Sequence, residues 1–173
     1  QDNNGVLWVG TTEGLFLINN PDKMFDNDLR AYRIKIPRND GTGLADYLLG
    51  TEEIKAIAID GANRKWIGTQ SSGLYLVSED GLDTRHHFTA ENSPLLSNTI
   101  QSIAINDKTG EVFIGTSNGL VSYQSDAIES SSTFDNVHGY PNPVRPDCVG
   151  SVAITGLVDG TLVRVTDING NLR

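Results

Sequence analysis

The sequence predicts an all-β fold, and three observations lead to this prediction. Glycine accounts for 18 of the 173 residues, and dipeptides typical of turns recur along the chain. Apolar and polar residues alternate in short runs such as Ile54–Ile59 and Ile100–Ile105, as expected for half-buried strands. A motif of an aromatic residue, a β-branched residue, Gly and Thr occurs three times. These features favour many short strands over long helices.

The three copies of the motif are spaced like the blades of a β-propeller. They begin at Trp8, Trp66 and Phe113, and each runs through Gly and Thr to a polar turn that ends in Gly-Leu. The copies are 58 and 47 residues apart. Four strands with their turns need about 40–50 residues, which is the period of a propeller blade. The longer first interval predicts an insertion within residues 19–30 or 37–53.

Each repeat is predicted to form a four-stranded antiparallel sheet, and the first lacks its opening strand. The aromatic residue is expected to fill the space between stacked sheets, which lie about 10 Å apart. The following Gly allows another backbone to approach closely, and the Thr hydroxyl is placed to bond turn amides. The opening strands are predicted at 54–59 and 100–105, the third strands at 14–18, 73–77 and 119–123, and the fourth strands at 31–36 and 84–88.

The sequence changes character after the third repeat. Residues 126–133 are polar and rich in Ser, which is typical of a linker. Two apolar runs, 149–157 and 161–167, flank an Asp159-Gly160 pair, which predicts a β-hairpin. The predicted domains are therefore a partial propeller over residues 1–133 and a second β-domain that begins at residue 134 and includes residues 134–173.

The composition argues against several partners. The formal net charge is −9, so a nucleic acid would be repelled, and the densest basic run, Arg64-Lys65, is too short to offset this. No run approaches the roughly 18 apolar residues of a membrane span. The chain starts with Gln1–Gly5, which reads as the middle of a turn and suggests a piece of a longer protein.

No catalytic, metal or cofactor site is predicted. His86 and His87 are adjacent on a predicted strand, so their side chains point to opposite faces and do not readily share a metal ion. Asp22, Asp26 and Asp28 lie in an oxygen-rich segment, but their spacing differs from that of the helix-loop-helix calcium motif, and a solvated acidic loop is the favoured interpretation. The serine residues show no nucleophile-elbow pattern. The chain is therefore predicted not to be an enzyme.

The motifs resemble two known families. Residues 1 to about 125, with their three aromatic-Gly-Thr motifs, resemble the two-component regulator propeller repeat of Bacteroidetes-type bacteria. The tail, with Tyr140–Pro146 and Ile154–Leu157, resembles the C-terminal immunoglobulin-like module of PorZ-like proteins, which are associated with type IX secretion. The fold that this resemblance implies is about three propeller blades, the first incomplete, followed by a truncated immunoglobulin-like β-sandwich.

The resemblance also implies a function. It indicates a non-catalytic binding and assembly module of an exported bacterial protein, in the periplasm or on the cell surface, with no cofactor. The partners it implies are a surface polysaccharide or other proteins of a secretion or outer-membrane complex. Two alternatives stay open: the periplasmic carbohydrate-sensing domain of a hybrid two-component sensor kinase, and a propeller carbohydrate-active enzyme.

Ligand contacts are predicted on one face of the propeller, where the turns between second and third strands meet the connections between blades. Long ordered loops such as residues 37–53 tend to be functional. A three-blade arc also leaves two apolar faces open, so the isolated fragment is expected to self-associate. The predicted ligand-binding residues are Glu13, Arg38, Asp40, Tyr47, Gln70, Ser71, Asn92 and Asn118.

Overall fold

The structure is a computed structural model that describes residues 1–23, 25, 29–145, 152–158 and 160–172. Contacts divide the chain into two compact units, Gln1–Glu129 and Ser130–Arg173. Asp26 and Asp28 of the calcium alternative, the first residues of the predicted strand 149–157 and Asp159 of its turn lie outside the described residues.

The prediction of an all-β fold is confirmed. The described residues contain 13 strands and one short 3-10 helix, Pro21–Lys23. The strands are β1 (Leu7–Thr11), β2 (Gly14–Ile18), β3 (Lys35–Pro37), β4 (Ala45–Tyr47), β5 (Ile54–Ile59), β6 (Lys65–Thr69), β7 (Leu74–Val77), β8 (Thr84–Phe88), β9 (Ile100–Asn106), β10 (Glu111–Thr116), β11 (Gly119–Gln124), β12 (His138–Tyr140) and β13 (Ala153–Thr155).

The first unit contains three successive antiparallel sheets, one for each repeat, and the separate two-stranded sheet β3-β4. The first sheet pairs β1 with β2, the second has the order β5-β6-β7-β8, and the third has the order β9-β10-β11. The three aromatic residues lie on β1, β6 and β10, at the same point of the pairing with the following strand. Trp8 is opposite Leu17, Trp66 is opposite Leu76 and Phe113 is opposite Ser122. The repeats therefore align in three dimensions as they do in the sequence.

Two apolar clusters lie between the sheets. The first joins Trp8 and Leu15 of the first sheet to Ile67 and Val77 of the second. The second joins Trp66, Leu74 and Leu76 of the second sheet to Val112 and Ile114 of the third. Trp66 is fully buried and Trp8 is 8 % exposed, so the predicted packing of the aromatic residue between sheets is confirmed for these two. Phe113 is half-buried on the face of the third sheet that points away from Val112, Ile114 and the second sheet, and its packing against a further sheet stays a prediction.

The glycines of the first two motifs allow the next sheet to approach. A Cβ atom built on Gly10 would lie 2.5 Å from Cγ2 of Ile54, and one built on Gly68 would lie 2.4 Å from Cγ2 of Ile100. Each isoleucine begins the opening strand of the next sheet. The glycine at this position is therefore required by packing between sheets, since its φ value is not positive.

The fourth strand of the first repeat differs from the prediction. Only Tyr32 of the predicted strand 31–36 pairs with the first sheet, through an isolated bridge to Leu17. Lys35–Pro37 instead forms a hairpin with Ala45–Tyr47. The insertion supplies its own strand partner, and this local pairing competes with extension of the first sheet.

The predicted hairpin of the tail also differs. Ala153–Thr155 pairs with His138–Tyr140 rather than with residues 161–167. A Cβ atom on Gly156 would lie 2.4 Å from the carbonyl oxygen of Asn136, so this glycine permits the close approach of the Asn136–Val137 backbone that leads into β12. Within 161–167, only Thr166 forms a bridge, and its partner is Leu172.

Candidate functional site

The turns of the predicted ligand face are held by the motif threonines. The hydroxyl groups of Thr11, Thr69 and Thr116 donate to the carbonyl oxygens of Gly14, Gly73 and Gly119 at 2.8, 2.9 and 2.8 Å. The same hydroxyl oxygens accept backbone N–H groups of Glu13, Ser72 and Asn118. Each turn is thus closed by its own side chain, which leaves residues such as Glu13 and Ser71 exposed at the surface.

Two predicted residues, Glu13 and Tyr47, are brought together by Arg33. Nη2 of Arg33 donates to the carbonyl oxygens of Glu13 at 2.9 Å and Gly50 at 2.5 Å. The guanidinium carbon lies 4.8 Å from the ring centroids of both Phe16 and Tyr47. Nε of Arg33 is buried and has no hydrogen-bond partner in the described part of the chain. The guanidinium of Arg33 is therefore held against two aromatic rings, and one of them belongs to the exposed Tyr47.

Arg33, which contacts both Glu13 and Tyr47, is not among the predicted ligand-binding residues. It lies in the predicted fourth strand of the first repeat, and nothing in that short segment distinguishes it from a solvent-facing arginine. Its neighbours Phe16 and Tyr47 are 17 and 14 residues away in the sequence. Only the pairing of Tyr32 with Leu17 places it over Phe16.

Arg38 and Asp40 lie on the hairpin formed by β3 and β4. Arg38 makes a bidentate ion pair with Asp46, with Nε and Nη2 at 2.8 and 2.5 Å from the carboxylate oxygens. The hydrogen bond from Arg38 holds the pKa of Asp46 below its ordinary value. Hydrogen bonds from the Thr42 hydroxyl and backbone N–H lower the pKa of Asp40. Both predicted residues are thus ionised and already engaged with the hairpin itself.

The remaining predicted residues mostly support loop structure. Asn92 donates to the carbonyl oxygen of His87 at 2.9 Å, and its amide oxygen accepts the backbone N–H of Thr89 at 2.8 Å. Asn118 donates to the carbonyl oxygen of Leu96 at 3.2 Å. Gln70 is tied to Glu53 through a backbone hydrogen bond of 2.9 Å.

The two histidines lie on opposite faces of β8, as predicted. His87 stacks on Tyr75 with ring centroids 3.9 Å apart, and its Nε2 donates to the carbonyl oxygen of Ser72 at 2.6 Å. His86 stacks instead on Phe88. Across the residues that the structure describes, no group of three or more His, Cys, Asp or Glu side chains is placed to hold a metal ion.

A buried charge cluster joins the first and second sheets. Asp2 accepts the indole N–H of Trp8 at 2.9 Å and forms an ion pair with Nζ of Lys65 at 3.0 Å. Lys65 also donates to the carbonyl oxygens of Asn63 and Glu79, at 2.7 and 2.6 Å, and lies 4.7 Å from the Trp8 ring centroid. Burial raises the pKa of Asp2, but hydrogen bonds from Lys65, Trp8 and Val6 more than offset this, and the net pKa is lowered.

The second sheet repeats the carboxylate–tryptophan contact. Asp60 accepts the indole N–H of Trp66 at 3.2 Å and Nε of Arg64 at 2.8 Å. Arg64 continues to Ser125 and Asp126, at 2.9 and 2.8 Å. In both copies the aspartate lies six residues before the tryptophan. This six-residue spacing is visible in the sequence, but it was not part of the predicted motif.

The described part of the chain contains no helix that is long and apolar enough to cross a membrane. No protein-family model matches the chain, and no curated protein matches it.

Eleven solved protein chains match this chain, among them the following two. One is PorZ of Porphyromonas gingivalis, from the human oral microbiome, which is described as an essential bacterial surface component of the type IX secretion system. The match has a TM-score of 0.68 and 38% identity, and it covers 99% of this chain and 23% of PorZ. The chain thus spans about a quarter of the length of PorZ.

The other is the extracellular domain of a hybrid two-component system from B. thetaiotaomicron. This match has a TM-score of 0.53 and 24% identity, and it covers 75% of this chain and 16% of that domain. At this identity the similarity supports the fold alone. Taken with the match to PorZ, it confirms the predicted resemblance of the chain to PorZ-like and two-component regulator propeller proteins.

Proposed function

We propose that the chain is a non-catalytic binding and assembly part of an exported, PorZ-like protein that serves type IX secretion outside the cytoplasm. The observation that carries this proposal is the 38% identity to PorZ over 99% of the chain, a range that includes both compact units. The descriptions of PorZ and of the B. thetaiotaomicron domain name a secretion component and the extracellular domain of a two-component system, and neither names an enzymatic activity. The sensor alternative has only the similarity of fold in its favour.

The proposed ligand is a surface polysaccharide, and the proposed contact is the Glu13–Arg33–Tyr47 cluster. Tyr47 is 46 % exposed, so part of its ring is open to a sugar. Aromatic rings offer an apolar surface to such ligands and fixed polar groups provide orientation. Arg33 is already immobilised by Phe16 and two carbonyl groups, which reduces the entropy that binding would cost.

The direct test is a binding titration with the chain and polysaccharide purified from the surface of the producing bacterium. Tyr47→Ala should weaken binding at least about tenfold, because the stacking surface is lost. Tyr140→Ala is the matched control, since Tyr140 is also exposed but belongs to the second unit. Equal losses for both variants would contradict the proposed ligand face.

The role in secretion needs the full-length protein in its own bacterium. Deletion of its gene should reduce the amount of type IX cargo in the medium, and the unaltered gene should restore it. Normal secretion without the gene would contradict the secretion role but leave polysaccharide binding to be judged separately. Release of sugar products that stops with Glu13→Gln would contradict the non-catalytic assignment.

A further inference from the structure

His87 and Tyr75 form a pair of stacked rings on the side of the second sheet that faces the first sheet. Tyr75 packs against the apolar cluster between these two sheets, which contains Trp8. On its other side the second sheet packs against the third through Leu74 and Leu76. His87 is nevertheless exposed. Its exposure therefore persists with a neighbouring sheet in place on both sides of its own sheet.

The imidazole ring of His87 is held in one orientation. Its centroid lies 3.9 Å from that of Tyr75, and the two ring planes differ by 12°. Nε2 lies 2.6 Å from the carbonyl oxygen of Ser72, which can only accept, so Nε2 carries a proton. The carbonyl oxygen of His87 accepts the amide of Asn92 at 2.9 Å. Tyr75 covers one face of the imidazole ring, and the other face is a fixed surface open to solvent.

Three polar groups beside this ring are not used by the fold. They are Nδ1 of His87, the hydroxyl group of Tyr75 and the half-buried carboxylate of Glu52, and none has a hydrogen-bond partner among the residues that the structure describes. Burial and the negative charge of Glu52 both raise the pKa of Tyr75, so its hydroxyl group keeps its proton. A flat ring with a few fixed polar groups around it is typical of a small-ligand site.

The connection between the first and second sheets brings Glu52 to this place. The backbone N–H of Glu52 donates to the carbonyl oxygen of Leu49 at 3.3 Å, and Leu49 packs against the same apolar cluster as Tyr75. The carbonyl group of the next residue accepts the backbone N–H of Gln70 at 2.9 Å. Gln70 begins the turn whose carbonyl group holds His87. The carboxylate and the ring pair are thus attached to one hydrogen-bonded framework.

The cluster around Tyr47 has an equivalent arrangement one sheet earlier. Arg33 lies over Phe16 as His87 lies over Tyr75, and both donate to a backbone carbonyl group of the turn before the third strand. The connection that carries Tyr47 also supplies the carboxylate beside Tyr75. Stacked sheets lie about 10 Å apart, so a polysaccharide bound at one place can reach the other.

We infer, on the basis of the proposed function, that the polysaccharide makes a second contact at Glu52, Tyr75 and His87, which together form the His87 subsite. The subsite takes a neutral sugar residue, whose apolar ring face stacks on the imidazole ring and whose hydroxyl groups bond the carboxylate and the tyrosine hydroxyl group. A sugar acid would be repelled by the carboxylate of Glu52. Because one chain occupies both places, the two contacts strengthen each other through a high effective concentration.

The test is a titration of the intact chain with polysaccharide purified from the surface of the producing bacterium. His87→Ala should weaken binding at least about tenfold, because the stacking surface is lost. Glu52→Gln keeps the ring pair and should weaken binding by a smaller factor, since only the charge of the acceptor is lost. His86→Ala is the matched control, because His86 is also exposed but stacks on Phe88 on the opposite face of β8. It should bind like the unaltered chain.

The outcomes separate the subsite from the proposed function. If His87→Ala binds as tightly as His86→Ala while Tyr47→Ala weakens binding, the His87 subsite is overturned and the proposed function stands. Equal losses for His87→Ala and His86→Ala would also overturn the subsite, since they would reflect a change in β8 itself. If the unaltered chain does not bind the polysaccharide, the proposed ligand is wrong and the subsite fails with it.

Discussion

The two junctions between neighbouring sheets use the same carboxylate–tryptophan contact but obtain its cation from different sheets. At the first junction Asp2 pairs with Lys65, which belongs to the following sheet. At the second junction Asp60 pairs with Arg64, which precedes the middle strand of the same sheet. Val112 occupies the place in the third sheet that Lys65 has in the second, so the second junction receives an apolar side chain there.

The two cations also differ in their contact with water. The side chains of Lys65 and Asp2 are 0% and 3% exposed, so the first ion pair is desolvated and crosses the junction. Arg64 is 18% exposed, and its second partner Asp126 is 82% exposed. A repeat can therefore keep its aromatic packing while different residues form the electrostatic contact between sheets.

The largest expected difference between the junctions follows from removal of the cation. Lys65→Met leaves the buried carboxylate of Asp2 without its partner, and loss of one member of a buried pair costs about 3–5 kcal/mol. Arg64→Met is the matched variant and should cost about half as much or less, because Arg64 is partly exposed, so that water can replace its guanidinium beside Asp60, whereas both side chains of the Asp2–Lys65 pair are buried. Urea unfolding of the chain measures both. Equal losses would show that the junctions are energetically equivalent.

A smaller effect tests the apolar contact at the second junction. Gly68→Ala places a methyl group 2.4 Å from Cγ2 of Ile100, and such overpacking costs about 1–3 kcal/mol. Gly115→Ala is the control, because its methyl group would meet only Ser102 of the same sheet, whose hydroxyl can move. If Gly115→Ala destabilises the chain as much as Gly68→Ala, strand geometry rather than packing between sheets explains the glycines.

The pH dependence of the free energy of unfolding tests the ion pair between Asp2 and Lys65. Its pKa is lowered from 3.8 in the folded chain, so its ionised form stabilises the fold above that pH, and this contribution is lost as the pH falls through the folded-state pKa. In Lys65→Met, burial still raises the pKa of Asp2, but the hydrogen bond and the charge of Lys65 no longer lower it. The destabilisation caused by Lys65→Met should therefore shrink between pH 7 and pH values below about 4. A penalty that is constant with pH would contradict the ion pair.

The smallest expected effect is at the exposed end of the second junction. Asp126→Asn should change the free energy of unfolding by less than about 1 kcal/mol, since exposed ion pairs contribute little. Asp60→Asn should cost more, because the side chain of Asp60 is fully buried and also accepts backbone N–H groups of Ala62 and Arg64. If Asp126→Asn destabilised the chain more than Asp60→Asn in chemical denaturation, the carboxylate of Asp126 would contribute more to stability than that of Asp60.

Much of the fold could be predicted because the repeat encodes local geometry. Strand alternation predicted β5 and β8 with the observed bounds, and the Thr-to-Gly turns form as expected. The prediction failed where two pairings compete. Lys35–Pro37 had a suitable strand pattern but pairs with the insertion, and Ala153–Thr155 pairs with an earlier segment of the tail.

The candidate site was less predictable than the fold. Tyr47 and Glu13 were selected by their position in loops and turns, and their role as ligand contacts stays a prediction. Arg33, which contacts both of them, was missed because its position in the cluster depends on two aromatic rings that are remote in sequence. Asn92 and Asn118 look like free polar residues in the sequence, yet their amides are engaged within the loops.

The all-β class, the number of repeats and the strand that carries each aromatic residue follow from the sequence alone, because these depend on the two-residue period of strands and on short turns. Which charged side chains meet depends instead on how the sheets pack. Asp2 and Lys65 are 63 residues apart and touch only because two sheets stack face to face. The energy of a buried pair depends on desolvation and distance, and neither quantity is defined until the sheets have packed.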